Sequence, residues 1–193
     1  MKQIGITGGI GSGKTTVANF FKEFGIPVYI ADEEAKKLMH RSPIKEELLE
    51  LFGEKAYDSD NKLNRTYIAS QVFNNKALLD KLNAIVHPRV AQDYKAWVEK
   101  QHSAYVLYEA AILFETGKHK QFDYNILVTA PKQERISRLL QRDDTTEEEI
   151  KARMENQWSD QQKEKFADWI VENVDLARTK EEVTQLHTII SNL

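Results

Sequence analysis

KQIGITGGIGSGKTT, residues 2–16, is the stretch that decides the fold. Its first six residues are short and β-prone, and they run straight into Gly8-Gly9-Ile10-Gly11-Ser12-Gly13-Lys14-Thr15. That octet matches G-x-x-x-x-G-K-[ST] in full, after a strand and before a helix, where the motif must sit to work. Five of the chain's eight glycines lie between Gly5 and Gly13. Glycine is costly in ordered backbone, so the cluster marks a demand on the main chain. Glycines let several N–H groups converge on phosphate oxygens, and a helix N-terminus adds partial positive charge. Lys14 is placed to reach the β- and γ-phosphates, and the Thr15 hydroxyl to ligate Mg²⁺. The expected nucleotide-binding set is Gly9, Ile10, Gly11, Ser12, Gly13, Lys14, Thr15 and Thr16. The motif identifies a nucleoside triphosphate site; it does not identify the reaction.

Working outward, Val17, Ala18, Phe20, Phe21 and Phe24 recur at helical spacing, with Gly25 as a C-terminal stop. IPVYIAD reads as a second strand ending near Asp32, and a β-loop-α-β start predicts a parallel sheet. Residues 33–100 read as a helical excursion, with turn signals at Ser42-Pro43, YDSDNK and His87-Pro88. Strand patterns return at 104–114, 122–130 and 167–173. A charged helix spans Pro131 to Arg142. Another starts at Thr146, which with Glu149 fits a capping box, and a last helix ends the chain. The expectation is a three-layer α/β/α P-loop NTPase fold with about five parallel strands. Its core comprises 1–32, 101–141 and 159–193, with a helical insertion at 33–100 and a polar helical lid at 142–158.

The 193 residues are 41% apolar and 30% charged with net charge −3, which suits a globular domain rather than a general nucleic-acid binder. No apolar run approaches a membrane span and no export leader is read, so a cytoplasmic location without membrane or nucleic-acid partners is expected. The absence of cysteine excludes disulfides and thiolate metal sites.

Ligands of open α/β sheets bind beyond the carboxyl ends of the strands. Asp32, Glu109 and Asn173 fall at such ends. Asp32 is either a base for an attacking hydroxyl or the N-cap of the helix EEAKKL. Glu109 either holds Mg²⁺ through water or is a solvated carboxylate. Arg135, Arg138 and Arg142 share one helix face. They either neutralise charge on a transferred group or pair with neighbouring acids such as Glu134 and Asp143. Arg153 and Gln157 form a second polar set on the next helix. His87-Pro88-Arg89 reads as a turn with a surface histidine. D-x-x-G and N-K-x-D, the marks of a GTP switch protein, are absent.

GITGGIGSGKTTVANFFKEFGIPVYIAD, LNRTYIASQVF, LNAIVHPRV, AAILFE, RISRLLQRDD and ADWIVEN, in that order and spacing, resemble the dephospho-CoA kinase family over nearly the whole chain. The resemblance implies transfer of the ATP γ-phosphate to the ribose 3′-hydroxyl of dephospho-CoA, with Mg²⁺, on a P-loop core carrying a helical acceptor domain and a lid. It implies that Asp32 is the general base and that Arg65, His87 and Glu115 serve the acceptor. It further implies that Arg138 and Arg142 are lid arginines and that Asn173 lies near the adenine. Arg135 has no counterpart and returns to the solvated-face reading. Three positions depart from the family pattern: Ile30 stands for the first Asp of D-A-D, Glu109 for an Asp, and Ala111 for a Pro. The rivals are a kinase of another small alcohol, such as a nucleoside or sugar acid, and a nucleotide-binding module that transfers nothing. Oligomeric state is left open.

Overall fold

The computed structural model describes residues 1–73 and 75–193. In chain order the elements are β1 (Lys2–Thr7), α1 (Lys14–Glu23), β2 (Val28–Ile30), α2 (Ala31–Leu38), α3 (Ile44–Phe52), α4 (Arg65–Val72), α5 (Lys76–Val98) and β3 (Tyr105–Glu109). There follow β4 (Tyr124–Thr129), α6 (Lys132–Arg142), α7 (Glu147–Glu155), α8 (Asp160–Glu164), β5 (Trp169–Glu172) and α9 (Leu176–Ser191). The strands form one sheet in the order β2-β3-β1-β4-β5, and every pairing is parallel. The chain divides into two compact units, Met1–Ile30 with Gln101–Leu193, and Ala31–Lys100.

The first unit holds the sheet. All five residues of β3 are buried, as a strand covered on both faces requires. Ile4, Ile6, Leu107, Ile126 and Val128 meet Val17, Ala18 and Phe21 of α1 and Val183, Leu186 and Ile190 of α9 in one core. Each larger aliphatic or aromatic side chain so buried contributes about 1.5–3 kcal/mol. Register fixes which residues share an edge: Ile6 and Ile30 both pair with Glu109, and Thr129 pairs with Glu172.

The second unit has its own core of Ile44, Leu48, Phe52, Ala56, Tyr57 and Ile68. No described helix is long and apolar enough to cross a membrane.

Three local readings are corrected. The second strand stops at Ile30, so Asp32 is neither at a strand end nor an N-cap but lies in the first turn of α2 with Glu33 and Glu34. Three acids there suit the positive end of a helix. The third strand ends at Glu109, because β1 leaves the sheet after Thr7 and no partner strand continues. Residues 111–117 are turns, with Leu113 and Phe114 buried and Ile112 exposed. His87-Pro88 is no turn. Both lie inside α5, although Pro88 lacks the N–H that a helix interior uses. Val86, Val90 and Tyr94, four apart, are buried on one side of that helix and hold it through the proline.

Candidate active site

The loop from Gly8 to Gly13 joins β1 to α1. Gly11 and Gly13 have φ of 79° and 85°, the left-handed region that glycine enters without steric cost. A second reason for glycine lies behind the loop. A Cβ on Gly9 would sit 2.0 Å from Arg135 Nη2, and one on Gly13 would sit 2.0 Å from Asn173 Nδ2. Side chains press on the backbone from one side, and two of its amides are already engaged: Ile10 N–H with Gln157, against its expected place among the phosphate donors, and Ser12 N–H with the Gly9 carbonyl at 3.1 Å.

The N-terminus of α1 is built for an anion. Asn64, Asn75, Thr146, Ser159 and Asp175 cap α4, α5, α7, α8 and α9 by accepting backbone N–H bonds. α1, capped by Gly13, has no side-chain cap, and neither have α3 and α6; but those two carry acids in the first turn, Glu46 and Glu47 and Glu134, and α1 carries none. Its orphan amides and dipole therefore keep their capacity for phosphate.

At two loop residues, Ile10 and Ser12, backbone atoms are held by this unit's own side chains. Ile10 donates its N–H to Gln157 Oε1 at 2.8 Å, and its carbonyl accepts from Arg135 Nε at 2.8 Å. The Ser12 carbonyl accepts from Asn173 Nδ2 at 2.9 Å and from Arg138 Nη1 at 3.4 Å. Arg138 also donates to the Asn173 carbonyl at 2.8 Å, and Thr179 donates to Asn173 Oδ1 at 3.3 Å. Lys14 lies across the loop and donates to the Gly8 carbonyl at 3.0 Å. The Thr15 hydroxyl donates to Glu109 Oε2 at 3.4 Å. Thr16, the last of the expected nucleotide residues, sits in the first turn of α1.

Glu109 is 5% exposed, which removes the solvated-carboxylate reading. With Thr15 it offers two hard oxygens on the sheet edge, the donor type that Mg²⁺ takes. The described residues contain no cluster of three or more metal-binding side chains. Mg²⁺ does not need one, because it keeps waters and shares substrate phosphates.

Arg135 is not on a solvated face. It is buried and reaches Ile10 on one side and Asp160 at 3.3 Å on the other. The i, i+3 spacing that joined it to Arg138 was the available signal; both point to the loop. Arg142 pairs instead with Asp143, at 2.8 Å and 2.9 Å, on an exposed surface. That hydrogen-bonded pair pushes the Arg142 pKa up and pulls that of Asp143 down. Asn173 directs its amide at the loop. Glu115 Oε1 accepts from the Trp158 N–H at 3.2 Å and faces the ammonium of Lys163, a fully buried side chain, at 3.0 Å. Its Oε2 is buried without a partner. Lys163 had no signal in the sequence beyond its charge. Asp32, Arg65 and His87 belong to the second unit, on α2, at the first position of α4 and within α5, and all three are exposed.

A sequence model of the dephospho-CoA kinase family matches residues 2–178. The chain is 41% identical over 177 residues to the dephospho-CoA kinase of Salinibacter ruber, covering 90% of this chain and 89% of that one. Its fold is similar to that of TT1252 from Thermus thermophilus, with TM-score 0.87 and 34% identity over 100% of this chain and 97% of that one. It is also similar to that of the dephospho-CoA kinase from Campylobacter jejuni, with TM-score 0.65 and 22% identity over 100% and 98%.

Proposed function

The chain belongs to the dephospho-CoA kinase family, and from that premise we propose that it transfers the ATP γ-phosphoryl group to the ribose 3′-hydroxyl of dephospho-CoA, giving CoA and ADP. The observation that carries the phosphate half is the uncapped N-terminus of α1 under a loop whose outward carbonyls are already bonded. Its inward amides bind the triphosphate with little reorganisation. Lys14 exchanges the Gly8 carbonyl for the β- and γ-phosphate oxygens. Thr15 and Glu109 would hold Mg²⁺, which when bound would neutralise charge on those oxygens.

Asp32 receives the proton of the 3′-hydroxyl as that oxygen bonds to the γ-phosphorus and the bond to ADP breaks. Support for Asp32 comes from register and chain length. Ile30 pairs with Glu109, as does Ile6 just before the loop, and Asp32 is two residues beyond Ile30, within about 7 Å along the chain. Arg138 and Arg142 stabilise the transferring group as 142–158 closes, Arg142 leaving Asp143 to do so. Arg65, His87 and the unpartnered Oε2 of Glu115 serve the acceptor, and Asn173 borders the adenine through the backbone it fixes. The protein works in the cytoplasm.

ADP release from Mg-ATP, measured with and without dephospho-CoA and with a panel of nucleosides and sugar acids, tests the reading. Release that depends on dephospho-CoA is the expected result. Release that is slow and indifferent to any acceptor, or that follows another alcohol better, overturns it.

A further inference from the structure

Two side chains grip Ile10 from opposite ends of one stretch of chain. Arg135, on α6, precedes the polar segment 143–158; Gln157 lies at its far end. The Ile10 N–H can only donate, so it is the carboxamide oxygen of Gln157 that faces it, at 2.8 Å. The Ile10 carbonyl can only accept, and Arg135 Nε supplies the proton at 2.8 Å. The same guanidinium meets Asp160, just past Gln157, at 3.3 Å. Arg135 is 9% exposed, and its terminal nitrogens lie against Gly9, where no side chain fits. Next to Gln157, the Trp158 N–H is held by Glu115, itself paired with the buried Lys163. The helix that leads into 143–158 and the far end of that segment thus meet the phosphate loop at a single residue, and the far end is pinned again to the sheet unit's interior.

We propose that Gln157 and Arg135 are positioning residues that couple the base of segment 143–158 to the phosphate loop, so that ATP seating in the loop is transmitted through Ile10 to that base. The proposal rests on the kinase reading above only for its consequence in catalysis; the coupling itself concerns ATP alone. An outward-bonded Ile10 holds the neighbouring amides in the curvature a phosphate needs. Any shift of the loop on binding moves the Gln157 carboxamide, and with it the adjoining Trp158.

The test uses the full-length protein and equilibrium binding of Mg-ATP without acceptor. Gln157→Leu removes the acceptor atom at similar volume and leaves the Ile10 N–H unpaired, and it is expected to weaken ATP binding about tenfold. The KM for dephospho-CoA should be unchanged. In a Trp97→Phe, Trp169→Phe background, Trp158 emission should respond to ATP with Gln157 present and lose that response in Gln157→Leu. Gln157→Glu keeps an acceptor oxygen. At 0.3 M salt, where screening acts beyond about 5 Å, it should recover most of the affinity. Should Gln157→Leu not fold, Arg135→Lys removes the bond to the Ile10 carbonyl and is read in the same way. Affinity within twofold of the parent, an intact Trp158 response, or a Gln157→Glu no better than Gln157→Leu overturns the proposal. If the parent binds ATP but never phosphorylates dephospho-CoA, the kinase reading falls and this comparison still stands.

Discussion

The candidate residues of the sheet unit and those of the helical unit are held in opposite ways. Around the phosphate loop Ser12, Glu109, Arg135 and Asn173 are 0%, 5%, 9% and 2% exposed. Arg135 and Asn173 bond to the backbone of Ile10 and Ser12, far away in sequence, and Glu109 accepts from the Thr15 hydroxyl. In the helical unit Asp32, Arg65 and His87 all lie on the surface. A buried, mutually bonded site is preorganised: its geometry is set before ligand arrives, and binding costs little ordering. Exposed side chains have more rotamer freedom to lose when a ligand holds them. The loop end is therefore set by buried contacts, and the proposed acceptor end presents its candidate side chains at the surface. Substitutions at the first should cost stability or nucleotide affinity, and at the second turnover or acceptor affinity.

The sharpest way to break this contrast is at Asp32. Asp32→Asn should lower kcat by about 10²–10⁴-fold, the usual weight of a positioned base. ATP affinity and thermal midpoint should hardly move, because the side chain is exposed and its place in the first turn of α2 is worth only about 0.3–1 kcal/mol. Near-full turnover in single-turnover assays would remove the assigned role. Lys14→Met is the counterpart on the rigid side, with turnover expected to fall about 10²–10³-fold, as for loss of one stabilising donor. Unlike Asp32→Asn it should also weaken ATP in equilibrium binding.

How much of this was readable beforehand divides along the same line. The loop, the individual strand segments and the Thr146–Glu149 capping box are local patterns, complete within a few residues, and the structure reproduces them. The struts behind the loop are not local. Arg135 to Ile10 spans 125 positions and Gln157 to Ile10 spans 147. Which helix faces the loop depends on a strand order, β2-β3-β1-β4-β5, that no stretch of the chain displays. Hence Arg135 looked like a solvated charge. Nothing in the sequence sets Lys163 apart from the other lysines, and only the fold buries it completely. His87-Pro88 failed for the opposite reason. A strong local turn signal was overridden by the packing of Val86, Val90 and Tyr94 along α5.

Lys163 probes the rigid side at its interior. Removing the ammonium by Lys163→Ala leaves the largely buried Glu115 carboxylate, whose side chain is 13% exposed, without its cation. Loss of one partner of a buried pair costs about 3–5 kcal/mol. Urea denaturation should show a stability loss of that order, and the double replacement Lys163→Met with Glu115→Gln should recover part of it. A single variant as stable as the parent would mean that the pair does not hold this end together.

Arg65 probes the exposed side. Arg65→Ala should raise the KM for dephospho-CoA about 10–100-fold, the range for a hydrogen bond to a charged group. The KM for ATP and the thermal midpoint should stay put. A parallel rise in both KM values would show that the two ends are not separable and would dissolve the contrast.

The smallest expected effect concerns what dense packing leaves unpaired. His119 stands between the rings of Phe114 and Phe166, at 5.3 Å and 5.0 Å, with Nδ1 buried and unpartnered. Burial, with help from the charge of Lys120, pushes its pKa below the ordinary 6.5. The folded state therefore binds this proton less readily than the unfolded chain. Between the two pKa values the unfolded chain holds more protons, so stability falls as pH drops below 6.5 and the penalty is complete once pH passes the lowered value. Above that window the group is neutral in both states and contributes nothing. Thermal midpoints of the parent and of His119→Phe, compared between pH 7.5 and 5.5, isolate this residue from the chain's other four histidines. The parent should lose more on acidification than the variant, because only the parent carries the trapped imidazole. Equal losses would mean that the ring reaches water freely, and that the rigidity of the sheet unit does not extend from the loop to this side of β4.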